Sequence, residues 1–60
     1  MFYSYFYKSK NGWGYGNTQL KKVPRSIADI FEVEQIILKN LQERNSEIEE
    51  VKIINYQSLF

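Results

Sequence analysis

Sixty residues with a net charge of +1 allow one domain, near the lower size at which a single core offsets chain entropy. With no cysteine and no histidine, disulfide staples and Cys/His zinc sites are excluded, as is nucleophilic chemistry built on a thiol or an imidazole base. The common remedy left for so small a core is association with another chain, so a homo-oligomer, in its simplest form a homodimer, is expected.

The first ten residues, MFYSYFYKSK, lack the charged start, leucine-like run and small-residue cleavage site of a signal peptide, and no run approaches a membrane span. A cytoplasmic protein with no membrane contact is the expectation. Phe2 to Lys10 is rich in aromatic residues and reads as a strand, and Trp13 to Val23 reads as a second. Asn11-Gly12 between them is the dipeptide best suited to a two-residue hairpin turn, because both central residues of a type I′ turn need positive φ.

A bend at those two residues alone sets Lys10 opposite Trp13, Lys8 opposite Tyr15, Phe6 opposite Asn17, Ser4 opposite Gln19 and Phe2 opposite Lys21 on one face. The other face then pairs Tyr7 with Gly16, Tyr5 with Thr18, Tyr3 with Leu20 and Met1 with Lys22. The tyrosine face carries no charge until its end, so it belongs under the helix, with Gly14 and Gly16 leaving room for facing rings or a close helix. The opposite face has too many lysines for a core and too many aromatics for an ordinary solvated surface.

Val23-Pro24-Arg25 ends the second strand, and Ser26 to Arg44 is the one segment long and periodic enough to be a core-bearing helix. Ile27, Ile30, Phe31, Val33, Ile37, Leu38 and Leu41 share one side, with Ile36 alone on the polar side. Ser26 is the expected N-cap, Asp29 completes a capping-box-like pattern, and Asn45 suits a left-handed C-terminal stop. Glu34 projects from the apolar arc and needs a partner; the hydroxyls of Tyr3, Tyr5 and Tyr7 are the expected donors, a structural role preferred over a polar contact at an interface and over a switch or a general acid.

An acidic connector with Glu47, Glu49 and Glu50 leads into a third strand from about Val51 to the terminus. There Val51, Ile53 and Leu59 point one way and Ile54, Tyr56 and Phe60 the other, which suggests cover on both faces. A helix crossing back over the sheet sets the strand order 2-1-3. The expected fold is α+β: a single ββαβ domain over residues 1–60, a three-stranded antiparallel sheet with one amphipathic helix on one face.

Charge is divided along the chain. Residues 1–28 carry five cations and no acid, and residues 29–60 carry seven acids and three cations. The basic half either meets an anionic partner or is neutralised by the acidic half. Gly12, Gly14 and Gly16 have neither the spacing nor the following helix of a phosphate loop. The three connector acids read as solvated rather than as a metal site, so no catalytic residue, metal or cofactor is expected. The candidate contact surface is Phe2, Phe6, Lys8, Lys10, Trp13, Tyr15 and Lys21. Trp and Tyr dominate protein hot spots, so a protein partner is favoured, with single-stranded nucleic acid stacked on the rings as the alternative.

The opening FYSYFYKSKNGWGYGNTQL, followed by one amphipathic helix and the closing strand VKIINYQ, resembles the small ββαβ proteins encoded by bacteriophages and prophages. Some short phage proteins of this kind inhibit bacterial defence systems, and the Hachiman anti-defence proteins are similar in size. The resemblance implies a non-enzymatic inhibitor that binds and blocks a host protein; it transfers no functional position.

Overall fold

A computed structural model describes residues 1–58. Strands β1 (Phe2–Ser9) and β2 (Gly12–Gln19) form a hairpin, helix α1 (Ile27–Arg44) follows, and β3 (Ile48–Gln57) closes an antiparallel sheet of order β2-β1-β3. The chain is therefore a ββαβ, α+β fold. Leu59 and Phe60, expected to continue the third strand, lie outside the described residues.

The hairpin turns one residue earlier than Asn11-Gly12. Lys10 and Asn11 occupy the bend, Ser9 pairs with Gly12, and only Gly12 takes a positive φ, +137°. The Ser9 hydroxyl stabilises this turn by donating to the Gly12 carbonyl (3.2 Å) and accepting from the Asn11 N–H (3.3 Å). The register consequently slides by two: Tyr3 faces Thr18, Tyr5 faces Gly16 and Tyr7 faces Gly14, while Leu20 lies opposite Met1. Because side chains alternate with period two, a slide of two changes every partner and preserves every face.

Tyr3, Tyr5, Val33, Ile37 and Val51 form the buried centre, with Tyr3 fully buried and Met1, Tyr7, Leu20, Leu38, Leu41 and Ile53 packed around them. Tyr3 is accommodated because its hydroxyl donates to the Lys22 carbonyl at 2.5 Å. Beside it, the rings of Tyr5 and Tyr7 lie against Gly16 and Gly14: a Cβ on Gly16 would stand 2.6 Å from the Tyr5 hydroxyl oxygen. The glycines are thus seats for the facing rings.

At the start of α1, the Ser26 hydroxyl accepts from the Asp29 N–H (3.3 Å) and the Asp29 carboxylate accepts from the Arg25 N–H (2.9 Å), satisfying two donors by reciprocal capping. The far end departs from expectation. Asn45 is extended (φ −148°), its N–H donating to Leu41 O and its side chain accepting from the Glu47 N–H at 3.0 Å, so an Asx turn replaces the left-handed stop. The helix turns Val33, Glu34 and Ile37 inward, but Ile27 and Phe31, counted on the apolar side by periodicity, remain 75% and 55% exposed.

Strand β3 begins at Ile48, earlier than Val51, and its uneven alternation has a local cause. Register shifts between Ser4/Tyr5 and between Lys8/Ser9 leave Ile54 and Glu49 without cross-strand partners. Each bulge resets the parity, so Ile48, Val51, Ile53 and Tyr56 oppose Ser9, Tyr7, Tyr5 and Tyr3 on the helix side. Tyr56 stands with its ring 6.1 Å from that of Tyr3, not on the opposite face with Ile54. The expected two-sided cover is therefore not needed to explain β3.

Hydrogen-bond parity orders the backbone as well. Met1 and Leu20 exchange both of their bonds (3.1 and 3.0 Å), which marks odd β1 positions and even β2 positions as the bonded pairs of the β1–β2 ladder. Even β1 positions then face β3, and the Ile53 amide, opposite Tyr5, points away from the sheet. Glu34 Oε2 accepts that amide at 2.9 Å. The buried carboxylate is held by an edge-strand N–H rather than by the tyrosine hydroxyls.

Candidate interaction surface

The sheet face turned away from α1 is laid out by the two registers. Across β2, β1 and β3 its rows are Trp13, Lys8 and Glu50; Tyr15, Phe6 and Lys52; Asn17, Ser4 and Asn55; and Gln19, Phe2 and Gln57. Among the described residues no helix covers this face, because α1 lies on the other side. Trp13 and Tyr15 are 65% and 81% exposed, whereas Phe2 and Phe6 on the central strand are half-buried between their neighbours.

Phe6 and Trp13 lie diagonally, with ring centroids 5.5 Å apart and planes tilted by 47°. The Lys8 ammonium sits 5.7 Å from the Trp13 ring centre, a cation–π contact worth about 0.5–1 kcal/mol at an exposed site. These contacts hold the indole in place without burying it. A preset aromatic side chain loses less freedom when a partner covers it.

Five of the seven expected contact residues share this face: Phe2, Phe6, Lys8, Trp13 and Tyr15. Lys10 does not, because it occupies the turn, and Lys21 does not, because β2 ends at Gln19. Conversely, Lys52 and Glu50 join the face from β3 and pair with each other at 3.5 Å. Reading Lys52 from sequence required the β1–β3 register, which two bulges conceal.

Part of the division in charge is settled within the chain. Lys22 contacts Glu32 at 2.9 Å and Asp29 at 3.8 Å, and the hydrogen bond to Glu32 raises its pKa. Asn11 Nδ2 donates to Glu47 at 2.9 Å, fastening the hairpin turn to the entrance of β3. Among the described residues, no group of three or more acidic side chains is gathered closely enough to hold a metal ion. An open groove between β2 and the end of α1, lined by Tyr5, Thr18, Ile37, Asn40, Glu43 and Arg44 among others, offers a mixed polar wall.

No helix among the described residues is long and apolar enough to cross a membrane. No protein-family model, curated protein or solved structure matches the chain.

Proposed function

We propose that the chain is a small non-enzymatic protein-interaction module, a phage-type inhibitor that works in the host cytoplasm by docking its outer sheet face on a host defence protein and blocking it. The observation that carries the docking reading is the corner of Trp13 and Tyr15, both exposed, with Trp13 set against Phe6 and Lys8. Exposed aromatic side chains flanked by polar groups, here the lysines and amides of the same face, have the composition of an interface hot spot. The defence target follows from the resemblance in layout to small phage proteins. No metal, cofactor or catalytic residue enters this reading.

A second reading, single-stranded nucleic acid, draws on the amides of Asn17, Asn55, Gln19 and Gln57, which adjoin the rings on the same face and suit base edges. The electrostatics argue against it: Lys8 and Lys52 are the cations on this face, and Glu50 offsets one of them. Capture from host lysate followed by affinity measurement separates the two. Trp13→Ala should weaken binding to a protein target about 30-fold or more with shallow salt dependence. A steep salt slope that becomes shallower on Lys8→Ala would replace this reading with the nucleic-acid one, and binding unchanged by Trp13→Ala would remove the surface altogether.

A further inference from the structure

The two edges of the sheet are built differently, and the difference identifies a second interaction site. Along β3 the outward backbone is occupied at Ile48 and Ile53 and interrupted by two bulges, which leaves no regular run of outward groups. Ile48 donates its N–H to Asn45 O (3.2 Å) and accepts from Gln42 Nε2 (2.9 Å), and the Ile53 N–H goes to Glu34. Glu49, Glu50 and Lys52 put charge on the strand, and two bulges break its regularity. These are the devices by which an edge strand avoids pairing with another chain.

β2 has none of them. Its sequence, GWGYGNTQ, holds no charge and no proline, and its register against β1 is regular over all eight residues. By the parity of the ladder, the N–H and C=O groups of Trp13, Tyr15, Asn17 and Gln19 point away from β1. Among the described residues no hydrogen bond to these outward groups occurs.

We infer that the free edge of β2 pairs antiparallel with the β2 edge of a second copy of this chain, joining two three-stranded sheets into one of six strands. Three features favour a copy over a foreign strand. Gly12–Gln19 carries no charge, so the ladder itself meets without like-charge repulsion, and the lysines that approach at its two ends, Lys10 of one copy and Lys21 of the other, stay in solvent where salt screens them. A two-fold axis perpendicular to the sheet keeps the same face up in both copies, so odd positions oppose odd positions and their outward groups meet. The register centred on Tyr15 opposes Tyr15 to its counterpart and Trp13 to Asn17, using nearly the whole strand, with Lys10 and Lys21 just beyond its ends. This site is the strand edge rather than the aromatic face, so it stands whether or not that face binds a protein.

The test is the mass in solution together with two chemical probes. The wild-type chain should sediment at twice its 7.2 kDa mass at micromolar to millimolar concentration. A synthetic chain N-methylated at Asn17 loses an outward N–H while leaving the β1 ladder intact, and its dimer dissociation constant should rise at least about tenfold. Tyr15→Cys, in a chain with no other cysteine, should oxidise to a symmetric disulfide-linked dimer, because directly opposed Cα atoms in a bonded pair lie about 5.5 Å apart, whereas Gln19→Cys should not. A chain that stays monomeric at millimolar concentration overturns the inference. So does a dimer indifferent to N-methylation that cross-links at position 19 rather than 15.

Discussion

Replacing Gly16 by alanine tests the packing of the tyrosine face, because strand propensity and this structure predict opposite signs. A glycine inside a strand ordinarily costs about 0.5–1 kcal/mol relative to alanine, so propensity alone favours the substitution. Here the new Cβ would lie 2.6, 2.7 and 3.0 Å from Oη, Cζ and Cε1 of Tyr5, where ordinary contact begins near 3.4 Å. The ring, which is almost fully buried, has to retreat by most of an ångström, and overpacking of that kind costs about 1–3 kcal/mol. The propensity gain and the groove beyond Tyr5 offset part of this, so Gly16→Ala should be destabilised by a net of about 0.5–2 kcal/mol, or roughly 2–16 °C in melting temperature for a domain this small. Urea denaturation at constant m-value measures it. In a double-mutant cycle Tyr5→Phe deletes Oη, the nearest atom, and should remove part of the penalty, the rest remaining because Cζ still stands 2.7 Å from the new Cβ. A neutral or stabilised Gly16→Ala, or a penalty that Tyr5→Phe leaves unchanged, refutes the ring-on-glycine packing.

Further outcomes follow from the same contacts. Glu34→Gln keeps an acceptor for the Ile53 amide and should cost about 1 kcal/mol, whereas Glu34→Met removes it and should cost more despite restoring an apolar surface; hydrogen exchange at Ile53 should accelerate only in the second. Trp13→Ala should change folding stability by less than about 1 kcal/mol, since the indole is mostly exposed; a larger loss in urea denaturation would make Trp13 a structural residue. Burial raises the pKa of both Tyr3 and Tyr5 above 10, so the unfolded chain releases these protons first as pH rises. Stability should therefore hold below pH 10 and fall above it in alkaline melts, with a shallower fall in Tyr3→Phe.

Which face of the hairpin is inside was legible because period-two alternation is insensitive to where the turn falls. Tyr3 and Tyr5 are buried even though the bend sits one residue from its expected position. The pairing partners were not legible: an Asn-Gly dipeptide does not reveal that Ser9 will brace the turn and let Gly12 take the positive φ after it. Lys10 and Lys21 left the candidate surface for that reason, while Phe2, Phe6, Lys8, Trp13 and Tyr15 stayed. β3 resisted reading because bulges carry no residue signature here. Ile48, Val51, Ile53 and Tyr56 have spacings of three, two and three, which looks two-sided until Glu49 and Ile54 are set aside. Glu34 was legible as an anomaly but not in its solution, because the donor is a backbone group whose direction depends on the bulged register.

Glu34 also bears on how association ends. A sheet with two open edges can add copies indefinitely, since each addition leaves another edge exposed, whereas a sheet with one open edge closes on itself after a single pairing. The carboxylate on the Ile53 amide, the helix-end groups on Ile48 and the charges of Glu49, Glu50 and Lys52 all act on the β3 side. A buried acid in the middle of a helix's apolar arc lowers the hydrophobic yield of a core that has little to spare. Its placement is intelligible if what it stabilises is the closed state of one edge: the acid weakens the interior slightly and keeps the β2 edge the only one of the two free to pair.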